Sequence, residues 1–101
     1  MEVVWTAEAE RHLSALADSS QNEGGTRAAE EVVCKTLEVV GRLADTPYIG
    51  RRLAGRRGAY RAILVELWFE VIYRVVAHKV VVIGIWDCRR EPLDLSGLLA
   101  G

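Results

Sequence analysis

The chain has 101 residues, half of them apolar, with 13 basic against 14 acidic side chains and a net charge of −1. That length suits one domain over residues 1–101, with a single core burying roughly 60–70% of the unfolded surface. The near-neutral balance excludes a protein that coats nucleic acid by bulk charge, and no apolar run approaches the ~18–20 residues needed to cross a bilayer.

In chain order, Val3, Val4 and Trp5 read as a short strand. Thr6 follows as an N-cap, with Glu8 and Glu10 placed to complement the positive end of a helix running to about residue 18. Ala9, Leu13, Leu16 and Ala17 recur at helical spacing. Residues 19–25 (SSQNEGG) are polar and glycine-containing, and predict a loop. A second helix is expected over residues 26–44, burying Ala29, Val32, Val33, Leu37, Val40 and Leu43 as one stripe. Thr46-Pro47 stops it, because the residue before proline disfavours helical geometry.

Residues 47–58 (PYIGRRLAGRRG) form a basic, glycine-punctuated connection carrying Arg51, Arg52, Arg56 and Arg57. Three strands follow at about 60–65, 69–76 and 79–86, with Ala77-His78 at the tip of the last hairpin. The run 79–86 is almost wholly apolar, as expected of a strand buried on both sides or in the middle of a sheet. Glu66-Leu67-Trp68 joins two strands without a turn residue, which implies an irregular turn or a bulge. Pro92 cannot continue a ladder, so Arg89 and Arg90 are delivered on the rim of a rigid sheet, where cations suit an anionic partner or an anionic transition state. Residues 93–101 have room for one helical turn. The order is β-α-α-β-β-β, an α+β domain with two helices against one face of a mainly antiparallel four-stranded sheet.

Charge is polarised along the chain. Residues 1–45 hold nine acidic and four basic side chains, and residues 46–101 hold five acidic and nine basic. A basic functional face on a neutral protein is expected. Cys34 and Cys88 lack metal-ligand or redox spacing and read as reduced thiols in a cytoplasmic protein; beside two arginines, Cys88 would be acidified if exposed. His12 and His78 each stand alone, the first on a helix surface and the second at a hairpin tip, so no metal site is expected. Trp5, Trp68 and Trp86 read as packing residues and Tyr73 as half-buried. Arg61 sits within reach of Glu66 or Glu70. Nothing at the N-terminus resembles a secretory leader.

Several segments, in this order, carry a likeness to a known group: the opening strand and TAEAERHL helix, Leu43 with Pro47-Tyr48-Ile49-Gly50-Arg51, Tyr60-Arg61, Val71-Ile72-Tyr73-Arg74-Val75, and Asp87-Cys88-Arg89-Arg90-Glu91-Pro92. Together they resemble toxins of the RelE/ParE superfamily from bacterial type II toxin–antitoxin modules. The resemblance implies a cognate antitoxin partner, no cofactor, no metal and no membrane. RelE-type members cut mRNA on the ribosome with basic groups and often a tyrosine, whereas ParE-type members poison DNA gyrase without chemistry of their own. By resemblance, Arg61 and Arg90 fall where RelE has catalytic cations. Ile63, Glu70 and Ser96 replace a lysine, an arginine and a tyrosine there, a poor set for a dianionic transition state.

A gyrase-directed, plasmid-stabilising toxin is therefore the leading expectation. Arg89, Arg90 and Arg74 would bind its target, and Arg51, Arg52, Arg56 and Arg57 its antitoxin. A ribosome-dependent endoribonuclease is the alternative, and a non-toxic interaction module of the same fold is the second.

Overall fold

The computed structural model describes residues 1–53, 60–66 and 68–89. Its elements are β1 (Glu2–Trp5), α1 (Ala7–Leu43), β2 (Arg51–Arg52), β3 (Tyr60–Leu64), β4 (Phe69–Val76) and β5 (Lys79–Asp87). The strands form one sheet in the order β1-β5-β4-β3-β2. β1 runs parallel to β5, while β2–β3, β3–β4 and β4–β5 are antiparallel. The α+β class is as expected, but the sheet has five strands rather than four. The missed strand has only two residues and both are arginine, so it carries no hydrophobic alternation to read.

The expected loop at residues 19–25 is also corrected. Residues 19–24 wind on as helix, and the break falls on Gly25 alone, at φ 85° and ψ −177°. Only glycine occupies that region routinely. A straight helix of 37 residues would run about 55 Å, whereas the molecule measures 38 × 28 × 23 Å. The bend at Gly25 therefore folds α1 back, and both limbs lie on the same sheet face. Polar residues 19–23 read as loop because loop and solvent-facing helix share that composition.

Thr6 caps α1 as predicted, its hydroxyl accepting from the Ala9 amide at 3.1 Å. It does a second job. β1 accompanies β5 only as far as Val82, leaving the edge of β5 open beyond that point. There the start of α1 stands in for a strand: the Thr6 amide donates to the Val82 carbonyl at 3.1 Å and its hydroxyl to Ile83 at 3.3 Å. The Ile85 amide donates to His12 Nδ1 at 3.1 Å. His12 is thus a helix–sheet bridge, not the isolated surface residue that its spacing suggests. Accepting at Nδ1 leaves Nε2 as the donor to Glu8, 3.1 Å away. Arg11, by hydrogen bond and then by charge, holds the Glu8 carboxyl below the usual range and ready to accept.

The main core lies between α1 and the sheet, built from Ala9, Leu16, Val32, Val40, Phe69, Val71, Val82 and Ile85. Leu43, Tyr73 and Val80 extend it. The expected stripe on the second limb holds at Ala29, Val32, Val40 and Leu43, but Leu37 is 49% exposed. Thr36 is buried in its place, its hydroxyl donating back to the Val32 carbonyl at 2.7 Å. A hydroxyl that satisfies itself inside its own helix is admitted to the interior without a tertiary partner. The sheet face away from α1 carries a smaller cluster, Leu53, Tyr60, Ala62 and Ile72.

Glu66 leaves its own hairpin to meet Lys35 at 3.1 Å, and the irregular turn closes through the Val65 amide donating to Phe69 at 2.8 Å. The bulge lies elsewhere, where the β4–β5 register slips between Ile72 and Tyr73. At the β4–β5 tip, Ala77 and His78 both take positive φ, 49° and 61°. Positive φ at both central residues is the mark of a type I′ turn, and Asn-Gly meets that requirement at least cost. Replacing Ala77-His78 by Asn-Gly is expected to stabilise the fold by ~1–2 kcal/mol in urea unfolding.

Candidate functional site

Three of the motif segments converge on one place. The Gly50 amide donates to the Tyr73 phenol at 2.9 Å. Arg61, on β3, donates to the Gly50 carbonyl at 2.8 Å and the Tyr48 carbonyl at 3.2 Å, and its guanidinium sits 5.2 Å from the Tyr48 ring. Gly50, Arg61 and Tyr73 thus fasten the end of α1 to the middle of the sheet. Arg61 pairs with neither Glu66 nor Glu70, contrary to the sequence expectation. Tyr73 is fully buried rather than half-buried, because its hydroxyl finds a partner inside.

Burial pushes the Tyr73 phenol above its usual 10.0, against smaller opposing pulls from the Gly50 amide and the Arg61 charge. Below that usual value the phenol is neutral in both folded and unfolded chains, and its contribution to stability is complete. Above it, the unfolded chain ionises first and stability is lost as pH rises through the folded value. Urea unfolding at about pH 9 and about pH 11 is expected to show a loss of stability at the higher pH that Tyr73→Phe reduces.

Of the expected rim, Arg89 lies just past the end of β5, and Arg90 lies outside the described residues. Asp87 holds Arg89 in a fork, Nε to Oδ1 at 3.2 Å and an Nη to Oδ2 at 3.1 Å, and this raises the Arg89 pKa further above its ordinary value. The guanidinium lies 4.7 Å from the Trp68 ring and 5.4 Å from Phe69. It stands between two adjoining clefts of about 200 and 280 Å³, both lined by Ser20, Glu23 and Phe69 beside the bend of α1. Arg89 is therefore a fixed cation on the α1 side of the sheet.

Arg74 is not with it. It lies on β4 five positions from Phe69, some 16 Å along the strand, on the face away from α1. Its Nε has no hydrogen-bond partner, and its guanidinium lies 5.6 Å from the Tyr60 ring. The three residues expected to bind a target therefore do not form one patch: Arg74 and Arg89 occupy opposite faces.

On the face away from α1, Glu70 occupies the position where the resemblance places a nuclease cation. Its carboxylate receives Arg51 on both oxygens, at 2.8 and 3.1 Å, and is 13% exposed. Arg51 is thereby engaged within the fold rather than offered freely to an antitoxin. Arg52 is exposed on the same edge strand and also has an interaction of its own. Arg56, Arg57 and Ser96 lie outside the described residues. Cys88 is exposed, but its thiol is raised, not lowered. Partial burial of the sulfur and the Glu70 charge outweigh Arg51, so the expected acidification by neighbouring arginines does not occur. Among the described residues, no three His, Cys, Asp or Glu side chains converge on a metal position, and no helix is long and apolar enough to cross a membrane.

A bent helix on one face of a mixed sheet is a fold that this chain shares with solved proteins of bacterial toxin–antitoxin systems. The chromosomal ParDE system of P. aeruginosa superposes with a TM-score of 0.75 at 24% identity, over 86% of this chain and 95% of that one. The toxin–antitoxin complex RelBE2 from Mycobacterium tuberculosis gives 0.65 at 18% identity, over 85% and 95%. The YoeB/ParE toxin from Agrobacterium tumefaciens gives 0.64 at 19%, over 86% and 98%. No curated protein matches the chain significantly. Residues 3–92 match the family described as ParE toxin of type II toxin-antitoxin system, parDE, and the chain belongs to that family.

Proposed function

We propose that this chain is a toxin that poisons DNA gyrase in the cytoplasm without chemistry of its own, and that a cognate antitoxin holds it inactive. The observation that carries this reading is the Arg51–Glu70 pair. A phosphoryl-transfer site needs uncommitted cations aimed at the developing charge. Here a carboxylate stands at that place and consumes the nearest arginine. Arg61, which with Arg90 is one of the two cations that match by resemblance, has donors committed to two backbone carbonyls and fastens the fold.

The rim of Arg89 and Arg90 then serves as the target-binding edge. Arg89 is already held by Asp87 and Trp68, so docking there freezes little further side-chain motion. With Arg51 taken up by Glu70, the other arginines of the basic connection, Arg52, Arg56 and Arg57, are left to meet an acidic antitoxin segment. The test compares gyrase supercoiling by purified protein with primer-extension mapping of mRNA in expressing cells. Inhibited supercoiling and intact mRNA are expected, as is loss of inhibition in Arg89→Ala/Arg90→Ala. Codon-positioned, ribosome-dependent cuts with normal supercoiling would replace this reading by the endoribonuclease one.

A further inference from the structure

Reading across the sheet at Arg74 gives a single rung. Leu53 bonds to Tyr60 through its backbone amide, Tyr60 faces Arg74, Arg74 faces Val81 and Val81 faces Val4. All five side chains lie on the face that α1 leaves uncovered. Leu53 and Tyr60 are buried, Arg74 and Val81 half-buried, and Val4 is open to solvent. A guanidinium at the centre of an apolar rung is unusual, and this one has no protein acceptor: among the described residues Arg74 makes no hydrogen bond and no ion pair. Its Nε–H is shielded from water and unsatisfied, an arrangement that costs stability and is rare without a reason.

We propose that Arg74 is the seat for a single carboxylate on an apolar segment of the neutralising partner; this rests on the toxin–antitoxin reading above. Charge complementarity selects the occupant. Nucleic acid is gripped by several cations at phosphate spacing, but this rung offers one. Among the described residues, the neighbouring cations of the same face have acidic partners: Arg51 has Glu70, and Lys79 lies 3.9 Å from Glu2. One Glu or Asp presents two acceptor oxygens to the planar fork of an arginine. Apolar residues flanking that carboxylate would cover Val81 and Val4. The Tyr60 ring, 5.6 Å from the guanidinium, attracts it and helps hold it in place before the partner arrives.

The experiment uses the full ¹⁵N-labelled chain and two synthetic peptides of alternating Leu and Thr, one with a central Glu and the other with Gln. The Glu peptide is expected to shift the Arg74 Nε–H resonance and to bind at least about ten-fold more tightly than the Gln peptide, a preference that Arg74→Met abolishes. Without a partner, Arg74→Met removes an unsatisfied donor, so its Tm is expected to rise by about 3–5 °C. A fall in Tm would show that Arg74 is structural. Equal affinity for the two peptides, a larger shift with a twelve-residue oligothymidylate, or a concentration-dependent shift from self-association alone would each overturn the seat. Growth arrest on expression reads the toxin assignment separately. Arrest without a Glu preference removes the seat only, and a Glu preference without arrest supports the seat but removes the assignment.

Discussion

Gly50→Ala is expected to destabilise this protein by about 3 kcal/mol, a large part of the roughly 5–15 kcal/mol that holds a typical domain together. The cost is steric. A Cβ at position 50 would lie 2.5 Å from the Tyr73 hydroxyl, 2.8 Å from its ring carbon Cε1 and 2.9 Å from the Ala62 carbonyl. The tyrosine is fully buried and the carbonyl belongs to β3, so neither yields easily. Any retreat breaks the Gly50–Tyr73 hydrogen bond and loosens the loop that Arg61 grips.

Chemical denaturation of four proteins measures this: wild type, Gly50→Ala, Tyr73→Phe and the double variant. Tyr73→Phe alone is expected to cost ~1–2 kcal/mol, by leaving the buried Gly50 amide without an acceptor. Because it also removes the atom nearest the new methyl, the double variant should lose clearly less than the sum of the two. Strict additivity would mean that the methyl is accommodated elsewhere, and the close approach would not be the reason for glycine.

Gly25→Ala is expected to cost ~1–3 kcal/mol for the opposite reason. A Cβ there meets nothing within 4 Å, so no side chain is crowded and the whole penalty is conformational. At φ 85° and ψ −177°, an L-residue is strained and even asparagine, tolerant of the left-handed helical region, gains little. The mirror image of those angles is ordinary extended backbone, so a D-alanine fits without strain. Ligation at Cys34 gives access to that variant. Thermal unfolding should place the protein with D-alanine at this position at or above wild type, and the one with L-alanine well below it. Equal losses for both would show that the bend needs flexibility rather than a particular backbone geometry.

The two glycines mark the limit of what the sequence determined by itself. Local chemistry was legible wherever one residue and its near neighbours decide the outcome. Thr6 before an apolar period made a helix start, Thr46-Pro47 a helix stop, and the apolar run in 79–86 a strand flanked on both sides. The α+β class and the family likeness followed from such segments in order, and so did the delivery of Arg89 at a strand's end. Locating the bend at Gly25 did not, because residues 19–24 suit a loop and an exposed helix equally well; the choice lay in how both limbs pack on the sheet.

The site was legible only as a collection of charges, since a side chain's role depends on what lies opposite it. Glu70 and Arg51 are 19 positions apart in the chain and meet only because β3 lies between them in register. Arg61 and Tyr73 became fasteners of Gly50 when the strands brought three distant motifs together. His12 became a stand-in for a missing strand because β1 ends three residues short of Ile85 along the edge of β5. Arg74, one charge in an ordinary strand pattern, acquired its unsatisfied donor from the rung across the sheet. Sequence gives each residue its chemistry and local conformation, and the long-range register decides which of those chemistries cancel and which are left over to act.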